Sequence, residues 1–164
     1  MEVNMDAQDV PLFVDTGASA PKPDLPFVER DVITAVVRNP RTGEYLCLRW
    51  KTVDWETLIT GGIEENQSAE EAARMEVREE TGYKSLRLIK ELPPYHSKFF
   101  HGPKGVNRFA HFRCFLFELE NDVRDAISQK ELDQHEPLWL SREELESFRL
   151  PLGHRFVLNH AYEA

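Results

Sequence analysis

Three carboxylates near the middle of the chain, Glu76, Glu79 and Glu80, carry the first signal of chemistry. At spacings of three and four they share one side of a helix. There they repel one another and sit towards the negative end of the helix dipole. A hard divalent cation relieves both costs, because Mg²⁺ takes oxygen ligands and keeps several waters. The bland alternative is a solvated acidic helix end. A second group lies at 95–113, with Lys98, Lys104, Arg108, Arg113, His96, His101 and His111 and no acid. Lysines and arginines there could hold phosphates, and Tyr95, Phe99, Phe100 or Phe109 could stack on a base. The alternative is a solvated positive hairpin with an aromatic core face. Arg49 and Lys51 flank Trp50 and are further candidates for phosphate. Trp55 is expected over the glycine loop, His135 at the surface, and Glu118, Glu120 and Glu136 as weaker candidates for an extra ligand or base.

The element that must position the acids runs from Gly61 to Tyr83, GGIEENQSAEEAARMEVREETGY. Ser68 with Glu71 forms a capping box, and Gly82 supplies a left-handed stop. Between them Ala69, Ala72, Ala73, Glu76, Glu79 and Glu80 fall on one stripe, opposite Glu70, Glu71, Arg74 and Arg78. Around this helix the pattern predicts strands. DVITAVVR (31–38) and YLCLRW (45–50) form a hairpin, and WETLIT (55–60) leads into the glycines. YKSLRLIKEL (83–92) stops at Pro93–Pro94, and 95–101 pairs with 106–120 around GPKG. A loop or short turn at 127–135, a strand at 137–140, a capped turn at 141–148 and a last helix at 154–162 complete the order. In the 95–101 strand, His96, Lys98 and Phe100 share one face, and Tyr95, Ser97, Phe99 and His101 the other.

The stretch Gly61–Tyr83 resembles the Nudix box, G-x5-E-x7-R-E-U-x-E-E-x-G-U with U a bulky apolar residue. Gly61, Glu76, Val77, Glu79, Glu80, Gly82 and Tyr83 match it. Gln67 stands where the pattern has its first Glu, and Met75 where it has Arg. The resemblance implies an α/β fold, a Nudix α/β/α sandwich around mixed sheet. It also implies a MutT-like pyrophosphohydrolase that cleaves a diphosphate linkage in a nucleoside diphosphate derivative. Glu76, Glu79 and Glu80 are then the catalytic residues. With the Gly61 carbonyl they hold Mg²⁺ or Mn²⁺. Arg49, Lys51, His96, Lys98 and Arg108, singled out by charge and position and not by the resemblance, are the candidates to bind substrate, with surface charge as the alternative. One of Lys98 and Arg108 is expected to face the acids. The two departures leave open a low-activity or non-catalytic nucleotide-binding module. A narrower resemblance, carried by PFVERD (26–31), RWKTVDW (49–55), TGGIEENQS (60–68), HSKFFH (96–101), NRFAHF (107–112) and HEPLWL (135–140), is to the Nudix-type module attached to some bacterial leucyl-tRNA synthetases. It implies a synthetase body as a fused partner.

Composition bounds these readings. The chain has 164 residues, enough for one domain with a core, and a net charge of −9 that disfavours duplex nucleic acid as partner. No apolar run is long enough to span a membrane, and no signal segment opens the sequence. Cys47 and Cys114 sit in apolar runs, as buried reduced thiols of a cytoplasmic protein do. Residues 1–29 hold Glu2, Asp6, Asp9, Asp15, Asp24 and Glu29 against Lys22, with Pro11, Pro21, Pro23 and Pro26. They read as an acidic arm or linker before a domain at 30–164, with PLFVD (11–15) able to pair as an edge strand.

Overall fold

The β-branched run at 31–38 becomes the centre of the sheet. In the computed structural model, which describes residues 10–164, it lies in strand β2, Phe27–Arg38. Its full length pairs in parallel with β7, Val106–Leu119. Its side chains alternate between two covered faces, so no polar alternation is needed. Val32 and Val36 enter one core; Ile33, Ala35 and Val37 enter the other.

The eight-stranded sheet also contains β1 (Leu12–Val14), β3 (Tyr45–Trp50), β4 (Glu56–Thr57), β5 (Ile59–Gly62), β6 (Leu86–His101) and β8 (His135–Leu140). The path runs β1-β6-β7-β2-β3-β4, with β5 also on β2 and β8 on β3. Two pairings, β1–β6 and β2–β7, are parallel and the rest antiparallel. The expected hairpin of β2 and β3 survives only at Arg38↔Tyr45. Beyond it the strands part, because β2 gives that edge to β5 and β3 takes β8.

Helix α1, Ala69–Thr81, covers one face. Ser68 and Glu71 form both bonds of the capping box, and Gly82 at φ 84° ends it. Ala69, Ala72, Ala73 and Val77 pack with Ile33, Ile59, Leu46, Leu48, Phe115 and Phe117. The small side chains let the helix approach the sheet closely. Short helices α2 (Gln129–Gln134) and α3 (Arg142–Leu145) flank β8. Helix α4, Leu152–Tyr162, covers the opposite face through Val157, Leu158 and Ala161. The result is an α/β/α sandwich around mixed sheet.

Two expectations are corrected. Pro93–Pro94 does not end the strand: β6 continues through a register shift between Leu92 and Tyr95, and a bulge absorbs residues that cannot donate. PLFVD pairs at the edge as expected, and it is the stretch after it that is less of a linker than its composition predicts. Residues 1–9 lie outside the described residues, but β1 joins the sheet edge on β6 and Phe13 packs on Tyr95 and Phe156. Asn107 accepts from the Lys22 N–H and donates to the Lys22 and Leu25 carbonyls, which ties down the segment after β1.

At Gly153, in the first turn of α4, the helix comes close against the sheet. A Cβ there would overlap the ring of Tyr95, which is stacked on Phe112 at 4.4 Å. Gly153→Ala is therefore expected to lower stability by about 1–3 kcal/mol, the usual cost of overpacking. The measurement is the urea midpoint at unchanged m-value.

Candidate active site

A cleft of about 590 Å³ runs across the sheet on the α4 side. Gly61, Gly62 and Glu76 line it at β5; Trp50, Trp55, Asp54 and Arg149 border it; Tyr95, Phe99 and Phe112 contribute aromatic wall. The sequence folds this way because β5 ends in glycines. Glu76, reaching up from α1, occupies the space a Gly61 side chain would need, and the Arg30 guanidinium does the same at Gly62. An acid and a cation thus reach the cleft over bare backbone.

The three box acids have three environments. Glu76 lines the cleft. Glu80 is 7% exposed, and its Oε2 has no hydrogen-bond partner among the described residues. Glu79 is exposed and lines a neighbouring hollow of about 480 Å³ with Met75, Arg78, Asp125 and Glu131. The expected stripe is thus rotated: Val77 and Thr81 share the buried side with Glu80, and Glu79 sits at its margin. Burial raises the Glu80 pKa well above the usual range, and the Glu76 charge adds to it. Burial also raises Glu76, while its hydrogen bond with Glu80 pulls the other way. Of the two neighbouring carboxyls, Glu80 is thus the one pushed further towards its neutral form.

His135 is not at the surface as expected. It is 2% exposed, with Nε2 2.9 Å from Glu131 and 3.8 Å from Glu80, and Nδ1 without a partner among the described residues. Burial lowers its pKa. Among the described residues, no three His, Cys, Asp or Glu side chains are gathered closely enough to hold a metal ion by themselves. A Mg²⁺ site does not require one, since substrate phosphates and waters commonly complete its shell. The unpartnered Glu80 oxygen beside Glu76 and Glu79 is the feature that fits a hard cation.

Protonation of this pair has a consequence for stability. The folded chain retains carboxyl protons that the unfolded chain has lost, so the stability they confer is full below the ordinary carboxyl range. It is lost as pH rises through the folded pKa values. His154 acts with the opposite sign: burial lowers its pKa to about 4, so its contribution is present above about 6.5 and lost as pH falls. Comparison with Glu80→Gln separates the two. The melting temperature of this variant is expected to exceed that of the metal-free wild type by a margin that grows as pH rises above the ordinary carboxyl range.

The expected substrate residues divide by strand face. Tyr95, Ser97, Phe99 and His101 line the cleft, as does Arg108, paired opposite Phe99. His96 and Lys98 lie on the other face and are corrected accordingly. His96 Nδ1 is 2.8 Å from His111 Nδ1, and Lys98 lies about 5 Å over the rings of Phe27 and Phe109. Arg49 is taken up by Glu56 at 3.2 Å, and Lys51 donates to the Leu132 carbonyl at 2.6 Å; neither lines the cleft. Glu118 is held by Arg38 and Arg87, so it is no spare ligand. Trp55 packs edge-on to Trp50 and His101.

Sequence reasoning missed Arg30, Asp15, His154 and Glu131. Arg30 carried a signal, since it precedes Val32 by two in a buried strand and so shares its face. Arg30 and Arg108 form no ion pair with a described residue. Burial and the Arg30 charge lower the Arg108 pKa, and burial with Arg108, Lys104 and Arg30 lowers that of His101. Two guanidiniums outside any ion pair with a described residue are the kind of group that can hold an anion beside the acids.

A mixed sheet between helices, with glycines set over an acidic helix, defines the Nudix class of fold. Residues 28–160 match the NUDIX domain, and the chain belongs to that family. No match was found among curated proteins. The fold is similar to the NUDIX domain of Shewanella oneidensis NrtR in complex with ADP ribose (TM-score 0.65, 13% identity, covering 87% of this chain and 92% of that one). It is also similar to the MutT protein from Methanosarcina mazei Go1 (0.57, 23%, 85% and 97%). The third is the E. coli dihydroneopterin triphosphate pyrophosphohydrolase (0.57, 17%, 84% and 99%).

Proposed function

We propose that this protein hydrolyses the diphosphate linkage of a nucleoside diphosphate derivative with Mg²⁺ or Mn²⁺. The observation that carries this reading is the Glu76–Glu80 pair, one oxygen of it buried and unpartnered, across the glycine pair from Arg30 and Arg108. Glu76, Glu79, Glu80 and the Gly61 carbonyl would hold the cation. Bound there, it would neutralise phosphate charge and acidify a water. Arg108 and Arg30 hold the phosphate oxygens, and Trp50, Trp55 and Phe99 exclude bulk water. A carboxylate of the acidic pair takes the proton of the attacking water. The new O–P bond forms as the bridging P–O bond breaks, giving a nucleotide and a phosphorylated leaving group.

A second reading, nucleotide binding with little turnover, is favoured by the box departures. Gln67 and Met75 still meet, Nε2 to Sδ at 3.6 Å, and Gln67 accepts from the Glu64 N–H, so the loop is held without an ion pair. The narrower resemblance to a leucyl-tRNA synthetase module belongs to this proposal, with a synthetase body as the fused partner. Cys47 and Cys114, free and buried, accord with a cytoplasmic place. No helix among the described residues is long and apolar enough to cross a membrane.

The test is a panel of nucleoside diphosphate sugars, dinucleoside polyphosphates, dNTPs and ADP-ribose with Mg²⁺, read by product mass. One member should yield a nucleotide and a phosphorylated product. Binding of a member without consumption selects the second reading.

A further inference from the structure

We propose that Asp15 is a specificity residue at the far end of the cleft, where it accepts hydrogen bonds from the hydroxyls of a sugar diol. This rests on the reading of the cleft as a diphosphate site and names what the remainder of the substrate carries.

Strand order supplies the geometry. Glycines 61 and 62 lie on β5, Arg30 on β2, Arg108 on β7 and Ser97 on β6, while Asp15 directly follows β1. At about 4.8 Å between strands, Asp15 is about 19 Å from the glycines and about 10 Å from the Arg108 strand. A diphosphate spans only the first part of that distance. The remaining length suits a sugar or nucleoside attached to it.

The chemistry of the far end differs from that of the phosphate end. Asp15, Thr16, Ser19 and Ser97 line it, with Tyr95 and Phe99 as apolar wall. The Asp15 backbone N–H donates to the Lys98 carbonyl at 3.0 Å, which fixes the residue to the sheet edge. Its carboxylate has no hydrogen bond or ion pair with any described residue. Burial raises its pKa to about 6, and the half-buried carboxylate has given up part of its water without gaining a donor among the described residues. A ligand bearing two hydroxyls supplies those donors and removes the cost. A second phosphate is repelled there, so the cleft reads phosphate at one end and polyol at the other. A site that hydrogen-bonds a hydroxyl discriminates strongly against ligands that lack it, because its own polar group is then left unpaired.

The test uses calorimetry with Mg²⁺ and three probes: inorganic pyrophosphate, which reaches only the phosphate end, and ADP-ribose and UDP-glucose, which extend from it. Asp15→Ala is expected to weaken at least one sugar-bearing ligand by about tenfold or more and to leave pyrophosphate unchanged. Asp15→Asn, which keeps an acceptor oxygen, should retain most of the affinity. Arg108→Ala should weaken all ligands that bind. Equal affinity of wild type and Asp15→Ala for both sugar ligands, with pyrophosphate still bound, overturns the Asp15 subsite and leaves the diphosphate site standing. Absence of binding by all three probes to the wild type overturns both. Loss of pyrophosphate binding in Asp15→Ala assigns the residue a structural role and also overturns the subsite.

Discussion

Glu80→Gln is expected to lower kcat by about 10²–10⁴-fold on whichever diphosphate substrate the panel identifies. The substitution keeps the size and one acceptor oxygen of the side chain, so α1 should remain packed. What it removes is the second carboxylate of the buried pair. The Glu80 Oε2 has no partner among the described residues, and burial with the Glu76 charge pushes its pKa well up. Such a group is costly as structure alone. A folded, better-melting variant that has lost turnover would mark the acid as kept for function. A variant with unchanged kcat would remove Glu80 from the reaction. Steady-state rates beside a thermal melt give both readings in one preparation.

Arg108→Ala is expected to weaken nucleoside diphosphate binding by about 1.5–3 kcal/mol, some 10- to 150-fold in Kd. Arg108 is 7% exposed, lines the cleft, and has Arg30 rather than an acid for a charged neighbour. Removing it relieves repulsion between the two guanidiniums, so stability should not fall as it would for a residue in a structural ion pair. Lys98→Ala provides the control. Lys98 faces away, over Phe27 and Phe109, and its loss should leave Kd unchanged. A mass-balanced titration with ADP in the presence of Mg²⁺ measures all three proteins.

The local parts of this site were legible in the sequence, because their causes are local. Ser68, Glu71 and Gly82 set the ends of α1 through bonds within one or two turns, and both ends lie where those residues predict. The glycine pair and the acids followed from spacing. Parity in β6 was harder. Alternation separated His96 and Lys98 from Tyr95, Ser97, Phe99 and His101, but it could not say which set faced the cleft. That choice depends on which face α4 covers, a tertiary fact. Arg49 and Lys51 were misplaced for a similar reason, since Glu56 and the Leu132 carbonyl that hold them are brought close only by folding. His135 and Glu131 meet on α2 and β8, which dock beside α1 from more than fifty residues away in sequence. The edge strand at 11–15 was legible, but that Asp15 at its end lines the cleft follows only once β1 pairs with β6.

The central claim is that the Glu76–Glu80 pair holds a divalent cation beside a phosphate subsite. Calorimetric titration of Mg²⁺ and Mn²⁺ into the protein, with and without ADP, tests it most directly. The account predicts uptake in the millimolar range or tighter, strengthened by ADP, lost in Glu80→Gln, and matched by a rise in melting temperature through binding to the folded state. No uptake of either ion with or without ADP, or equal uptake by the wild type and Glu80→Gln, would contradict it.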